Sequence, residues 1–282
     1  MKILVTGASG QLGRALRPVL EPRHDVLWTG HEDLDVRDLS ALRALTSQEQ
    51  PEAILHLAAV AQVDACETHP EGAAEVNALG SRYVAIAARE VDAELLLVST
   101  DYVFDGESTR PYAEYDQTHP INVYGRSKLH GERATTSIWG RHYIVRTSGL
   151  FGPGGVNFVE TIRSLHARDG RVSVVTDQVC RPTYAGDLAT AIGHVLGSGA
   201  YGTFHISSAG ATSWYDLARA VLEECGANPN DVRPTTTREL GRPAPRPAYS
   251  VLDTRAFELT FGHVLPHWRN GLRKVISRSS EP

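Results

Sequence analysis

Tyr124 and Lys128 stand four residues apart in Tyr124-Gly125-Arg126-Ser127-Lys128. On a helix that spacing puts a phenol and an ammonium on one face. A neighbouring ammonium favours phenolate and draws a tyrosine pKa down from its usual value of about 10. Such a phenol suits proton exchange with a carbonyl or alcohol oxygen near neutral pH. The chain has 10 Tyr and three lysines, Lys2, Lys128 and Lys274, so chance supplies roughly 0.1 pairs at this spacing. The plainer alternative is a surface Tyr and Lys sharing a helical face. Ser99-Thr100-Asp101 ends an apolar run. There the Thr100 hydroxyl can hold the reacting oxygen and the tyrosine, or merely cap the next turn.

A second constellation lies near the N-terminus, in Thr6-Gly7-Ala8-Ser9-Gly10-Gln11-Leu12-Gly13. Glycines at 7, 10 and 13 allow a tight turn and let a phosphate approach bare backbone. The helix that follows offers unpaired N–H groups and the positive end of its dipole to a pyrophosphate. The spacing differs from the usual G-x-G-x-x-G, and its position after the first strand is what gives it weight; a purely structural turn is the alternative. The second strand ends at Thr29-Gly30-His31, where a reader of the ribose 2′-OH usually carries an acid. Here His31 stands at the tip and Arg14 follows the glycines, which favours NADPH over NADH because basic groups suit a 2′-phosphate. Asp35 and Val36 are placed to hold the adenine edge. The small residues of His56-Leu57-Ala58-Ala59 let a cofactor lie against the backbone.

These groups need a scaffold, and the apolar pattern supplies one. Strands are expected over Lys2–Thr6, Asp25–Thr29, Ala53–Leu57, Glu94–Ser99 and Tyr143–Thr147. Helices are expected over Gln11–Leu20, ended by Pro22, over Leu39–Gln48 with Asp38 as cap, and over Pro70–Glu90. Near-continuous apolar strands alternating with helices predict a parallel sheet covered on both faces. The fold class is therefore α/β, a doubly wound, Rossmann-type sheet with a smaller loop-rich substrate-binding domain. Residues 1–150 read as the dinucleotide-binding domain. Residues 151–282 read mostly as substrate-binding, with segments at about 171–200 returning to the first domain. In that second half helices are expected over Asn157–Arg168, Ala185–Leu196 and Trp214–Cys225, and the Pro- and Arg-rich stretch Arg233–Pro247 is expected to run extended.

Composition narrows the function classes. With 28 Lys and Arg against 33 Asp and Glu the net charge is −5, without the basic stripe of a nucleic-acid-binding surface. No apolar run approaches the ~20 residues that span a bilayer, and Met1-Lys2-Ile3-Leu4-Val5-Thr6-Gly7 reaches glycine too soon for a signal peptide. Cys66, Cys180 and Cys225 are too scattered for a disulfide framework or a zinc cluster, and the 12 His show no metal-ligand spacing. The expectation is a cytoplasmic protein with no nucleic-acid or membrane partner and no metal site. Arg146, Arg181, Arg246 and Lys274 are candidate phosphate partners, Arg181 foremost because it precedes Pro182 on a loop expected to face the site.

Gly7-x-x-Gly10-x-x-Gly13, the Ser/Thr at the fourth strand and Tyr124-x-x-x-Lys128 together resemble the extended short-chain dehydrogenase/reductase superfamily. Ser99-Thr100-Asp101-Tyr102-Val103-Phe104-Asp105-Gly106, Arg146-Thr147-Ser148, Arg181-Pro182-Thr183 and Trp268-Arg269-Asn270-Gly271-Leu272 narrow the likeness to the dTDP-4-dehydrorhamnose reductase family, over nearly the whole chain. The resemblance implies reduction of a nucleotide-linked 6-deoxy-4-keto sugar. Thr100, Tyr124 and Lys128 inherit the catalytic roles, Ser9, Gly10, Gln11 and Leu12 the cofactor contacts, and Thr100 and Asp101 contact with the sugar nucleotide. Gly7, Gly13, Ser99, Tyr124 and Lys128 join the cofactor set, and Tyr124, Gly149 and Arg181 the substrate set. Two departures stand out: Gly149 replaces the Trp that commonly follows Arg-Thr-Ser beside the sugar, and His56 replaces an Asn. The resemblance also implies a homodimer, and some relatives have been linked to Mg²⁺. Alternatives are another sugar-nucleotide 4-reductase or epimerase, or a non-catalytic NADP-binding regulatory subunit like that of methionine adenosyltransferase. Dehydration is disfavoured because Asp101 is followed by Tyr102, not by a second acid.

Overall fold

The structure is a computed structural model and describes residues 1–278. The chain opens with β1 (Lys2–Thr6), α1 (Gln11–Leu20), β2 (Asp25–Thr29), α2 (Leu39–Glu49) and β3 (Ala53–His56). Two short helices follow, α3 (Val63–Thr68) and α4 (Pro70–Ala73). A π-helical stretch over Ala74–Gly80 then runs into α5 (Ser81–Glu90). Next come β4 (Glu94–Thr100), α6 (Val123–Ile138) and β5 (His142–Thr147). The second half holds β6 (Leu150–Phe151), α7 (Phe158–Asp169), β7 (Val172–Val175), β8 (Val179–Cys180), β9 (Thr183–Tyr184), α8 (Ala185–Val195) and β10 (Gly202–His205). It ends with β11 (Thr212–Ser213), α9 (Trp214–Glu224), β12 (Val232–Thr235), α10 (Thr237–Leu240), α11 (Arg255–Phe261) and α12 (Trp268–Arg278).

Six strands form one parallel sheet in the order β10-β5-β4-β3-β1-β2. Alternation along each strand explains its two-sided burial. In β1, Ile3 and Val5 pack with Leu12 and Leu16 of α1 and Leu188 and Ile192 of α8, while Leu4 packs with Leu42 of α2 and Val84 of α5. A strand covered on both faces has no position for a polar residue, hence the run Ile-Leu-Val. The order reverses between β1 and β3, so the carboxyl ends of β1, β3 and β4 open a crevice.

A smaller layer packs beyond β5. There β7 pairs with β12, β8 with β11 and β6 with β9. Its core joins Val159 and Ile162 of α7, Leu217 and Val221 of α9 and Leu272 of α12. Asn157 and Ser213 cap α7 and α9 by accepting from the Glu160 and Asp216 N–H groups, a stabilisation of about 1 kcal/mol each. The return to the large sheet is made by α8 and β10, while Val172–Val175 belongs to the smaller layer.

Three local expectations change. Pro70–Glu90 is not one α-helix: it widens to a π-helical stretch at 74–80, as helices do where one residue is turned to a local task. Val63–Thr68 is a helix that periodicity over six residues did not reveal. Arg233–Pro247 is only partly extended, since it contributes most of β12 and the one-turn α10. That turn is held by a capping box between Thr236 and Glu239, and its Thr-x-x-Glu signature lies in the sequence.

Candidate active site

The glycine turn is shaped by close packing on one side and openness on the other. Gly7 has φ +73°, and a Cβ there would sit 2.5 Å from the Ala58 nitrogen. A Cβ on Gly13 would collide with the Ala8 carbonyl. These two glycines let β1, α1 and the 57–59 segment close on one another. Gly10 is the N-cap of α1 and makes no side-chain cap, so the first-turn N–H groups of Gln11, Leu12 and Gly13 have no partner within the helix. That uncapped terminus faces a cleft of about 470 Å³ along the strand ends, lined at this end by Gly10, Gln11 and Leu57. The donor set fits a pyrophosphate.

Thr100, Tyr124 and Lys128 line the same cleft. Thr100 ends β4. Tyr124 and Lys128 lie in the first turns of α6, whose N-cap Asn122 accepts from the Gly125 N–H at 2.7 Å. Glycine at 125 is required because any Cβ would run into the Tyr102 carbonyl. That contact presses α6 against the turn after β4 and sets Tyr124 beside Thr100 on the cleft. The single Thr100 proton goes to the Asp101 carboxylate at 3.1 Å, and the Thr100 oxygen accepts from the Tyr102 N–H.

The electrostatics differ from expectation. The Tyr124 pKa is raised, not lowered: burial of the hydroxyl outweighs the lowering influence of the nearby Thr100 hydroxyl, and the Asp101 carboxylate also disfavours phenolate. Lys128 is only 4 % exposed, and burial, partly countered by Glu132, brings its ammonium down to about 8. Among the described residues nothing accepts a hydrogen bond from that ammonium. Both groups are penalised for charge by the same enclosure, so the ammonium does not yield a phenolate. A phenol that stays protonated at neutral pH is set up to donate.

Asp101 lines the cleft beside Thr100, and its carboxylate is held in a buried nest where Ser148 and Ser250 donate to it at 2.7 and 2.5 Å. Burial still raises its pKa to about 6 against these bonds. Ser99 lines the cleft, but its hydroxyl donates at 2.5 Å to Glu132, which also holds Arg146 at 2.7 Å under the sheet. His56 is buried and bridges the hydroxyls of Thr6 at 2.8 Å and Ser81 at 3.2 Å. Burial, then the Lys128 charge, lowers its pKa to about 3, so it is neutral.

Other expected site residues lie outside the cleft lining. Ser9 and His31 are exposed at the strand tips. Ala58 is a packing partner of Gly7. Asp35 is gripped by the Arg37 guanidinium at 2.7 Å, which lowers its carboxyl to about 2, and Val36 is buried against Gly80. Arg14 donates to the Ser9 and Gly154 carbonyls, and Gln11, which does line the cleft, donates to the Gly152 carbonyl at 2.8 Å; both tie down the 152–155 loop. Arg181 spends its guanidinium on the carbonyls of Ser208 and Leu252 and on Thr254. Lys274 pairs with Asp187 at 3.1 Å, and Arg246 with Asp64 at 3.0 Å. Among the described residues no group of three His, Cys, Asp or Glu side chains is placed to hold a metal ion.

Three contributors escaped the sequence reading. Asn77, on the π-helical stretch, clamps the Val60 N–H and carbonyl at 2.9 and 3.0 Å and donates to Ser127 on α6 at 2.9 Å. The signal was an amide on the apolar face of a helix. Tyr102 and Trp214 line both the cleft and an adjoining apolar cavity of about 230 Å³ between Phe158, Ile162, Leu165 and Val174. Nothing local marks Trp214, because its place depends on packing between distant segments.

The profile of the RmlD substrate binding domain family matches residues 1–281. The chain is 43% identical over 276 residues to a dTDP-4-dehydrorhamnose reductase of Streptomyces griseus, covering 95% of this chain and 91% of that one. It is 42% identical to a probable dTDP-4,6-dihydroxy-2-methyloxan-3-one 4-ketoreductase of Streptomyces antibioticus, covering 98% and 95%. The crystal structure of a Bacillus anthracis dTDP-4-dehydrorhamnose reductase in complex with NADP superposes with a TM-score of 0.95 at 36% identity, covering 98% of this chain and 99% of that one.

Proposed function

The chain belongs to the RmlD substrate binding domain family, in common with dTDP-4-dehydrorhamnose reductases; from that premise we propose that it reduces the C4 ketone of dTDP-4-dehydro-L-rhamnose to give dTDP-L-rhamnose, with NADPH. The observation that carries the reading is the meeting of Tyr124, Thr100 and Lys128 on a cleft that starts at the uncapped helix of the glycine turn.

A reduced nicotinamide, when bound, supplies the hydride; position and proton come from this chain. The α1 N-terminus holds the pyrophosphate. The Thr100 hydroxyl, turned from the Asp101 carboxylate to the substrate, donates to the ketone oxygen and orients it. Tyr124, whose pKa is held up by burial, gives its proton to that oxygen as negative charge builds there. Lys128 then faces the tyrosinate left behind and stabilises it, besides holding the ribose. The adjoining apolar cavity suits a flat nucleobase. In this reading residues 1–150 bind the cofactor and residues 151–282 mostly bind the sugar nucleotide, with part of that half returning to the first. A homodimer and a cytoplasmic location rest on family membership alone. No helix among the described residues is long and apolar enough to cross a membrane.

A second reading is reduction of another dTDP-linked 4-keto sugar. Gly149 favours it, since it removes the aromatic side chain that commonly follows Arg-Thr-Ser. Loss of NADPH absorbance with a panel of dTDP-, UDP- and GDP-linked 4-keto sugars separates the readings, with NADH as comparison. Turnover of the dTDP-rhamnose precursor is expected, and its loss by ~10²-fold or more in Tyr124→Phe. Failure to consume cofactor with every member of the panel would refute the proposal.

A further inference from the structure

Gly149 leaves a question about the sugar-facing wall, and the surroundings of that residue answer it. Gly149 has φ +52°, a conformation strained for any residue with a side chain. A Cβ built on it would stand 3.2 Å from the Pro182 Cα and 3.2 Å from Cη2 of the Trp214 ring. The space that a residue-149 side chain would enter is thus already closed by an indole from another part of the chain. Trp214 begins α9, and its N–H donates to the Gln178 carbonyl at 3.2 Å. Its ring is buttressed by Phe158, with centroids 4.6 Å apart and planes at 52°. The indole remains half-buried. It lines both the cleft with Thr100 and Tyr124 and the apolar cavity beside it. Among the described residues nothing accepts from its ring N–H.

We infer that Trp214 is a specificity-determining residue that supplies the aromatic wall for the hexose, standing in for the side chain that Gly149 lacks. This rests on the reductase reading. The ring stands between the space read for the base and the reacting oxygen, where the hexose of a nucleotide sugar must lie. Its face can cover the C–H side of a 6-deoxy sugar and its free N–H can meet a hydroxyl. The wall therefore belongs to the smaller layer rather than to the strand that follows Arg146-Thr147-Ser148.

The test compares dTDP with dTDP-L-rhamnose, so that the hexose contribution is isolated from that of the nucleotide. Affinities are measured by calorimetry for the full-length wild type and for Trp214→Phe, Trp214→Leu and Trp214→Ala, with NADPH affinity and thermal unfolding as controls for folding. In the wild type the hexose should add affinity. That increment should shrink about tenfold in the Leu and Ala variants and be largely retained in Phe, with NADPH affinity within about twofold throughout. Quenching of tryptophan fluorescence by dTDP-L-rhamnose should be strong in the wild type and largely lost in Trp214→Phe. An unchanged hexose increment in Trp214→Leu overturns the inference while leaving the reductase reading intact. A wild type that reduces no nucleotide-linked 4-keto sugar removes that reading, and the inference with it.

Discussion

Replacing Lys128 by Met should make the protein more stable while making it a poorer enzyme. Lys128 is 4 % exposed, its neighbours include neutral His56, and burial holds its ammonium at about 8 against a usual 10.5. That difference is a penalty on the charged form of about 3 kcal/mol, an upper bound because Glu132 sits nearby and the site can relax. The sign follows from proton counts. Below about pH 8 both folded and unfolded chains carry the proton and the penalty is complete. Between about 8 and 10.5 the unfolded chain holds a proton that the native chain has shed, so stability rises with pH until the penalty is gone. Methionine has nearly the same length and no charge to bury. Urea unfolding of wild type and Lys128→Met, followed by circular dichroism, should give the variant an advantage of about 1–3 kcal/mol at about pH 7. The advantage should shrink towards zero at about pH 10.5, while NADPH-dependent turnover falls at both. A variant no more stable at about pH 7, or an advantage that does not diminish at high pH, refutes the claim that the fold sustains a disfavoured charge at the site.

Other consequences can be measured in the same way. Asp101 titrates at about 6 instead of 3.8, so the native state binds a proton more tightly than the unfolded chain and stability should fall as pH rises from about 4 to 6; Asp101→Asn should flatten that slope in thermal unfolding between those values. Gly125→Ala would drive a methyl into the Tyr102 carbonyl, for a loss of about 1–3 kcal/mol in chemical denaturation and a fall in kcat beyond what the lost stability explains. Glu132→Ala leaves Arg146 buried at 6 % exposure without its counter-charge; a loss of about 3–5 kcal/mol is expected in urea, and wild-type stability in that variant would show that the pair is dispensable.

The central sheet was legible because two-sided burial writes itself into consecutive apolar residues, as in Leu95-Leu96-Leu97 of β4. The glycine turn and Tyr124-x-x-x-Lys128 were legible because a bare helix end and a one-face pairing each need fixed spacing. Electrostatic detail was not: the expected fall in the Tyr124 pKa reverses because how deeply two groups are enclosed is a property of the packed cleft. The protein acceptors that hold the candidate phosphate partners were hidden for a similar reason. Arg146, Arg181 and Arg246 each have a protein acceptor within 3.0 Å, and such partners come from segments up to 182 residues away. Asn77 and Trp214 take their roles from a widened helical turn and an inter-layer contact, neither of which a local window contains.

One side chain joins the two halves of the crevice. Asn122 holds the start of α6 through its carbonyl oxygen, and its amide nitrogen donates to the Pro245 carbonyl at 2.9 Å. Anyone grafting a foreign 241–247 strap onto this scaffold to recruit a new sugar therefore inherits a geometric condition. The imported chain is free to change its side chain at 245, because the handshake is with main-chain oxygen, but its path must still deliver a carbonyl to Asn122. A strap that misses this mooring leaves the amide of the helix cap without its acceptor, two residues from Tyr124.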